Sequence, residues 1–212
     1  RLLHMKDWVL ALFASGFLAT HFILWFSSLN YTSVVSSVVF ITLQPVLVFI
    51  GTCFLSKARF SPGTIISILI AFFGIFIIGW GDAQLNKEHL FGDLLALLGT
   101  LCLTINILLG QRTRKRVSFL TYTFIVYGIA SFLLILYNVF NQNDFTVHSI
   151  HVGVIILLLA IIPTFLGQIV FNYALRWLRE STVSMAVVFE PIVAAILAYS
   201  ILGEKVTSFQ LL

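Results

Sequence analysis

The sequence predicts an all-α, polytopic membrane protein, and three observations support that prediction. Hydrophobic residues make up 60% of the 212 residues and charged residues only 9%, whereas roughly a quarter of a soluble domain is charged. Mean hydropathy is +1.07. The apolar residues come in long blocks of about 20, the length of helix that crosses a hydrocarbon core of about 30 Å. The alternating segments of about ten residues that build a membrane β-barrel are absent from the sequence.

Seven such blocks follow one another along the chain. In order they are residues 8–29, 34–55, 64–80, 90–110, 119–140, 152–175 and 182–202. The two cysteines, Cys53 and Cys102, fall inside blocks, which favours apolar packing over a disulfide. The chain begins with Arg1 rather than Met and stops a few residues after the seventh block. We therefore expect it to be an internal piece of a longer protein.

Basic residues divide unevenly between the two sides of the predicted bundle. Ten of the twelve Lys and Arg precede the first block or lie in the loops after the second, fourth and sixth blocks, all on one side. The positive-inside rule makes this side cytoplasmic, including the loop from Arg112 to Arg116. We predict a multi-pass protein of a bacterial plasma (inner) membrane. Nucleic-acid or phosphoinositide binding by the basic loop is the alternative, but topology alone accounts for it, so no nucleic-acid partner is expected.

An internal repeat links the second block to the seventh. Residues 29–46, LNYTSVVSSVVFITLQPV, align without a gap to residues 175–192, LRWLRESTVSMAVVFEPI, so Gln44-Pro45 falls on Glu190-Pro191. The two copies lie five crossings apart and would face opposite ways, and the basic residues change ends accordingly. Inverted repeats are a common plan of secondary transporters, whose substrate site lies near the midplane where the repeats meet. Chance similarity between two apolar helices is the alternative.

Five segments together point to a known family: LNYTS, LRWLRES, FGDLLALLGTLCLTINILLGQRTRK, SFLTYTFIVYGIASFLLI and, most specifically, VVFEPIVAAILAYSILGEKVTSFQLL. They resemble the drug/metabolite transporter superfamily, specifically EamA-type permeases. The resemblance implies a ten-helix fold of two inverted repeats, of which this chain holds family helices three to nine and the start of the tenth. Residues 1–81 would end the first repeat, and residues 90–212 would form the second. The family's Gly-Glu-Arg turn is matched only by Arg59 in the first repeat, whereas Gly203-Glu204-Lys205 keeps its pattern in the second.

Glu190 is the main candidate for a functional residue, because it is predicted to be the only acidic side chain deep in a helix. A charge at the centre of a membrane helix costs about 2.5–3.5 kcal/mol on insertion scales, so such residues usually face a cavity. Glu190 could bind an amine or another cation, or exchange a proton during transport. The structural alternative is that its protonated carboxyl satisfies the backbone carbonyl that Pro191 leaves without a partner.

Other polar residues are candidates for a substrate or proton pathway. Gln44 is the uncharged counterpart of Glu190, and Pro45 and Pro191 are predicted kinks that could act as hinges. Asn106, Gln168 and Asn172 could extend a polar path, with interhelical hydrogen bonding as the alternative. His21 could titrate near neutral pH or simply pack.

The function implied by the resemblance is secondary transport of a small metabolite, amino acid or drug by alternating access, with protons as a possible coupling ion and the lipid bilayer as surroundings. A seven-helix receptor-like or other non-transport membrane protein is the alternative. No motif of an intramembrane enzyme or a nucleotide-binding loop is found, so we expect neither an enzyme nor a cofactor. His148 and His151 have no third ligand nearby, so we expect no metal site. The sequence leaves the substrate, the direction of transport and the oligomeric state open.

Overall fold

The computed structural model describes residues 5–56, 62–113, 118–143, 146, 149–162 and 190–203. Within these residues every regular element is a helix, which confirms the all-α prediction. The helices are α1 (Met5–Ser28), α2 (Val34–Ile41), α3 (Gln44–Ser56), α4 (Pro62–Leu85), α5 (Lys87–Thr113), α6 (Phe119–Phe140), α7 (Ile150–Leu159) and α8 (Glu190–Leu197). A five-residue π-helix, Ala198–Leu202, continues α8.

Four segments of the described chain are long and apolar enough to cross a membrane: Met5–Ser28, Val34–Leu55, Lys87–Gln111 and Leu120–Phe140. The 24-residue α4 coincides with the third predicted block. Large apolar side chains cover the outside of these helices, such as Phe73 and Phe124, which are 64% and 83% exposed. Such side chains are unfavourable in water and suit lipid, so the class of polytopic membrane protein is confirmed.

The second predicted block is interrupted beside Pro45, where the sequence predicts a kink. Helix α2 ends at Ile41, Thr42 and Leu43 form a turn, and α3 begins at Gln44. The physical reason is Pro45, which has no amide to donate to the carbonyl one turn earlier and whose ring crowds that carbonyl. The interruption therefore lies two to three residues before the proline rather than at it.

The chain divides into two compact units, Arg1–Leu136 with Glu190–Leu212, and Tyr137–Phe189. In the first unit α5 is the central helix, packing against α1, α2, α3 and α4. A buried cluster of small and branched residues joins α1 to α6, formed by Ala11, Ala14, Leu18, Ala19, Tyr122, Val126 and Ala130. Van der Waals packing of this kind holds membrane helices together when burial against lipid gives no driving force.

The described part of the second unit contains the end of α6 and all of α7. Past α6 the side-chain amides of Asn141 and Asn143 donate to the Tyr137 carbonyl and to Asn138 Oδ1, both at 2.8 Å. Ser149 caps α7, accepting a hydrogen bond from the His151 amide at 3.2 Å. Such caps satisfy amides that have no partner within the helix.

Candidate functional site

The break between α2 and α3 leaves backbone carbonyls that need partners other than the regular helical amides. Thr42 Oγ1 donates to the Val39 carbonyl at 2.8 Å. The Phe40 carbonyl accepts from the Leu43 amide at 3.3 Å and from Thr100 Oγ1 of α5 at 3.2 Å. Gln44 and Pro45, both half-buried, then open α3. Hydroxyl groups thus stabilise a helix interruption inside an apolar span, as membrane helices with proline require.

Glu190 and Pro191 form the first turn of α8, and this helix packs against α2. Helix α8 therefore lies beside the helix that precedes Gln44-Pro45. The Glu190 side chain is exposed, whereas Ala198, two turns further along, is buried. Residues 182–189, which precede Glu190 in its predicted block, lie outside the described part of the chain.

The far end of the α8 segment explains the glycine of the Gly203-Glu204-Lys205 turn. Gly203 follows the π-helix with φ of +69°, in the left-handed region. Its amide donates to the Ala198 carbonyl. Only glycine adopts this conformation without a steric cost, so its role is to end the helix. Glu204 and Lys205 lie outside the described residues.

His21 is buried between α1 and α5, with 4% of its surface exposed. Its Nδ1 lies 2.9 Å from the Gly99 carbonyl, a contact that requires the proton on Nδ1. The ring also stacks on Trp25, with centroids 5.9 Å apart. A Cβ at Gly99 would lie 3.4 Å from the His21 carbonyl oxygen, an ordinary van der Waals contact, so α1 and α5 lie close together at this point. In this arrangement His21 ties two helices together.

Asn106 makes a second bond between the same two helices. Its Nδ2 donates to the Ala14 carbonyl at 2.8 Å. The amide therefore makes the interhelical hydrogen bond that sequence reasoning gave as the alternative to a polar path. The other two amides proposed for that path, Gln168 and Asn172, lie outside the described residues. His21 and Asn106 make separate hydrogen bonds between α1 and α5.

Two acidic side chains that the sequence analysis did not single out are buried near the starts of their helices. Asp7 in the first turn of α1 and Asp93 in α5 are 4% and 3% exposed. Asp93 Oδ1 accepts a hydrogen bond from Thr32 Oγ1 at 2.8 Å. The available signal was its position in the FGD segment, inside the fourth apolar block.

Thr32 belongs to the LNYTS segment, and each of its polar or aromatic residues after Asn30 has a definite contact. Tyr31 packs edge-on against Phe91, with ring centroids 5.1 Å apart. A Cβ on Gly92 would lie 2.7 Å from the Thr32 amide nitrogen, so the turn rests directly on the α5 backbone. Ser33 caps α2 by accepting from the Ser36 amide at 3.1 Å. We call this junction, residues 31–33 with 91–93, the α5 clasp.

Beside the clasp, small hydroxyl side chains fill the space between α1 and α2. Ser28 and Ser37 Oγ atoms lie 2.8 Å apart, and both residues are fully buried. Small residues with hydroxyl groups bring membrane helices close and hydrogen-bond across their interface. Among the residues that the structure describes, no three His, Cys, Asp or Glu side chains converge as metal ligands. His151 is exposed at the start of α7, and His148 lies outside those residues.

The predicted topology rests on residues of which little can be described. Arg114, Lys115 and Arg116 lie outside the described residues, as does the whole segment 163–189 that contains Arg176 and Arg179. Charge distribution in the sequence therefore remains the basis for the proposed orientation. The chemistry that the described site offers is hydrogen bonding by an amide and a carboxylate beside a broken helix.

Comparison with known proteins finds one matching family and several relatives named as transporters. Residues 1–80 and 90–212 match the EamA-like transporter family. The chain is 28% identical over 209 residues to the uncharacterized transporter YxxF of Bacillus subtilis (strain 168), covering 98% of this chain and 66% of that protein. It is 26% identical over 197 residues to the uncharacterized transporter YyaM of the same organism, covering 89% and 63%. An uncharacterized transporter of Archaeoglobus fulgidus is 23% identical over 189 residues, covering 89% and 66%.

The chain thus spans 63 to 66% of the length of these relatives. No solved structure matches it.

Proposed function

Because the chain belongs to the EamA-like transporter family, as its resemblance predicted, we propose that the whole protein is a non-enzymatic secondary transporter that moves a small metabolite, amino acid or drug by alternating access. The relatives are named only as uncharacterized transporters, so we infer the substrate class from the side chains that this chain offers. The residues available to contact a substrate are a carboxylate, Glu190, and an amide, Gln44. This pair suits a solute with an amine or other hydrogen-bond donor.

The observation that carries the proposal is the packing of α8 on α2. It puts the helix that begins Glu190-Pro191 beside α2, the helix that precedes Gln44-Pro45. Inverted-repeat transporters bind substrate near the midplane, at broken helices where the repeats meet. The match of the family to residues 1–80 and 90–212 supports two repeats that divide where the sequence predicts, at residues 1–81 and 90–212.

In the proposed mechanism Pro45 and Pro191 act as hinges. Changes of bend at these prolines open a midplane cavity to one side of the membrane and then to the other. Glu190 binds the cationic group of the substrate or a proton, but not both, because one carboxylate carries one negative charge. Competition for that charge would couple solute movement to protons. The basic side of the protein, with the loop from Arg112 to Arg116, faces the cytoplasm of a bacterial cell.

The test begins with the full-length protein, screened by thermal shift against amino acids and amines. The solute that raises the melting temperature most is then used in proteoliposomes that enclose a pH-sensitive dye. We expect solute addition to drive a pH change in the lumen for the wild type. Glu190→Gln should retain its fold but lose at least nine-tenths of this change.

Glu88→Gln serves as the control, since Glu88 is an exposed carboxylate at the start of α5. It should transport as the wild type does. Full, equally pH-dependent transport by Glu190→Gln would remove Glu190 from coupling. Absence of solute-dependent flux across the whole screen, with protein that is folded and inserted, would count against small-amine transport itself.

A further inference from the structure

The Thr100 side chain occupies an unusual place in the break between α2 and α3. It is fully buried in α5, four residues after Ala96. Its Oγ1 lies 2.8 Å from the Ala96 carbonyl oxygen in its own helix and 3.2 Å from the Phe40 carbonyl oxygen at the end of α2. A hydroxyl has one proton, so it donates fully to only one of these two carbonyls at a time.

The Phe40 carbonyl also has two possible arrangements. In a continuous α-helix it would accept a hydrogen bond from the amide four residues later, that of Gln44. In the broken helix it instead accepts from the Leu43 amide, at 3.3 Å, and from Thr100. Thr100 therefore supplies the partner that the bend takes away. A buried carbonyl left without a partner would be unfavourable in this apolar setting.

We infer that Thr100 is a positioning residue for the hinge: its hydroxyl donates to Phe40 when α2 and α3 are bent, and returns to Ala96 when the Gln44 amide takes Phe40 in a straighter helix. This inference rests on the proposed function only in assigning the two states to the transport cycle. It adds to that proposal a residue of α5, in the second repeat, that sets the bend of a helix in the first.

Both α2 and α3 pack against α5, but the short, buried side-chain hydrogen bonds to α5 are those of the α2 side. Helix α2 is attached to α5 at both ends, through the α5 clasp at its start and Thr100 at its end. Helix α3 also packs against α5, where Gln111 Nε2 donates to Thr52 Oγ1 at 3.3 Å. We expect a change of bend at residues 42–43 to move α3 more than α2, because the buried hydrogen bonds of Thr32 and Thr100 lie on the α2 side of the break.

The effect of Thr100 can be measured by distances between spin labels, in full-length protein in lipid nanodiscs. Cys53 and Cys102 are first replaced by Ala. One label pair is placed at Phe54→Cys in α3 and Leu94→Cys in α5, both exposed positions. Helix α3, with 13 residues, is about 20 Å long, so a change of about 20° in its direction moves its far end by roughly 7 Å.

Thr100→Val keeps the shape of the side chain and removes the hydroxyl. We expect a second distance, roughly 7 Å from the first, to gain at least a third of the population. Thr100→Ser should restore the wild-type distribution. Thr104→Val is the matched control, because the Thr104 hydroxyl donates only within α5, to the Thr100 carbonyl at 2.8 Å. A reference pair, Phe26→Cys with Leu94→Cys, should not change in any variant.

An unchanged distribution in Thr100→Val, or an equal change in Thr104→Val, would overturn the inference. Pro45→Ala provides an independent check, since it restores an amide and should straighten the helix by itself; Thr100→Val should then add no further change. If Thr100→Val alone does not fold, Pro45→Ala must rescue it, and lack of rescue also overturns the inference. The distances need no substrate, so their outcome is separate from that of the transport proposal.

Discussion

At some positions in this bundle, the distance between two backbone segments limits the size of the side chain. Gly92 is the clearest case, because a Cβ there would lie 2.7 Å from the Thr32 nitrogen and 2.9 Å from the Tyr31 Cβ. The atoms that this Cβ would meet belong to the turn of the α5 clasp, in which the Thr32 and Ser33 side chains are both hydrogen-bonded. They cannot yield by a simple side-chain rotation.

We expect Gly92→Ala to destabilise the protein by about 1–3 kcal/mol through this overpacking. The control is Gly16→Ala in α1, where a Cβ meets nothing within 4 Å. There the substitution should be neutral, or stabilising by about 0.5–1 kcal/mol, because alanine is the better helix former. Reversible unfolding in mixed micelles measures both. Equal stability of the two variants would show that the turn does not rest on α5.

His21 and Asn106 illustrate side chains whose amide or imidazole groups hold helices together. Asn106→Leu should lower the free energy of unfolding by about 0.6 kcal/mol, and at most about 1.7, the range measured for hydrogen bonds between membrane helices. His21→Phe keeps a stacking ring and should cost a similar amount. Thr20→Val is the control, since the Thr20 hydroxyl donates to Gly16 of its own helix. Loss of stability in Thr20→Val as large as in Asn106→Leu would contradict an interhelical role.

At the scale of elements, the α5 clasp joins the turn after α1 to the second turn of α5. Asp93→Leu removes the acceptor of the buried Thr32 hydroxyl and should destabilise the protein by about 1–3 kcal/mol. Asp93→Asn keeps an oxygen acceptor and should cost less. Thermal unfolding in detergent separates the two. A smaller loss for Asp93→Leu than for Asp93→Asn would mean that the bond to Thr32 does not stabilise the junction.

The helices also show which structural features can be predicted from the sequence and which cannot. The block 119–140 coincides with α6, and the other long helices differ from their blocks by a few residues at each end, because apolar length alone defines a membrane helix. Pro45 signalled a kink, but the position of the break depends on which carbonyls find substitute donors. One of those donors is Thr100, 60 residues away. One sequence contains no direct record of such a distant pairing.

The candidate site was predictable to a similar degree. The alignment of Gln44-Pro45 with Glu190-Pro191 pointed to a part of the bundle where α8, which begins at Glu190, packs against α2; contact of Gln44 and Glu190 with a substrate stays a prediction. The hydrogen-bond partners of His21 and Asn106 could not be predicted, because an amide or imidazole in a membrane helix can bond equally well to a neighbouring helix or to a solute. Asp93 was overlooked because charges near the end of a block are normally read as loop charges.

For the whole molecule, orientation is the property that the charge pattern predicts most directly. We expect the basic side to be cytoplasmic, so a membrane-impermeant maleimide added to intact cells should label Glu88→Cys but not Ser118→Cys. Both positions are exposed, and Ser118 follows the loop from Arg112 to Arg116. Permeabilised cells, with the native cysteines replaced, should label at both. The reverse pattern would invert the proposed topology.

The hydrogen bond between His21 and Gly99 also has a consequence for the synthesis and membrane insertion of the protein. Its partners are 78 residues apart, and ribosomes add roughly 5–20 residues each second. The imidazole of His21 must therefore spend roughly 4 to 16 s without its final acceptor while α2 to α5 are still being made. During that interval α1 must be shielded by the insertion machinery or by lipid headgroups. It reaches its final packed position only after α5 has been synthesised.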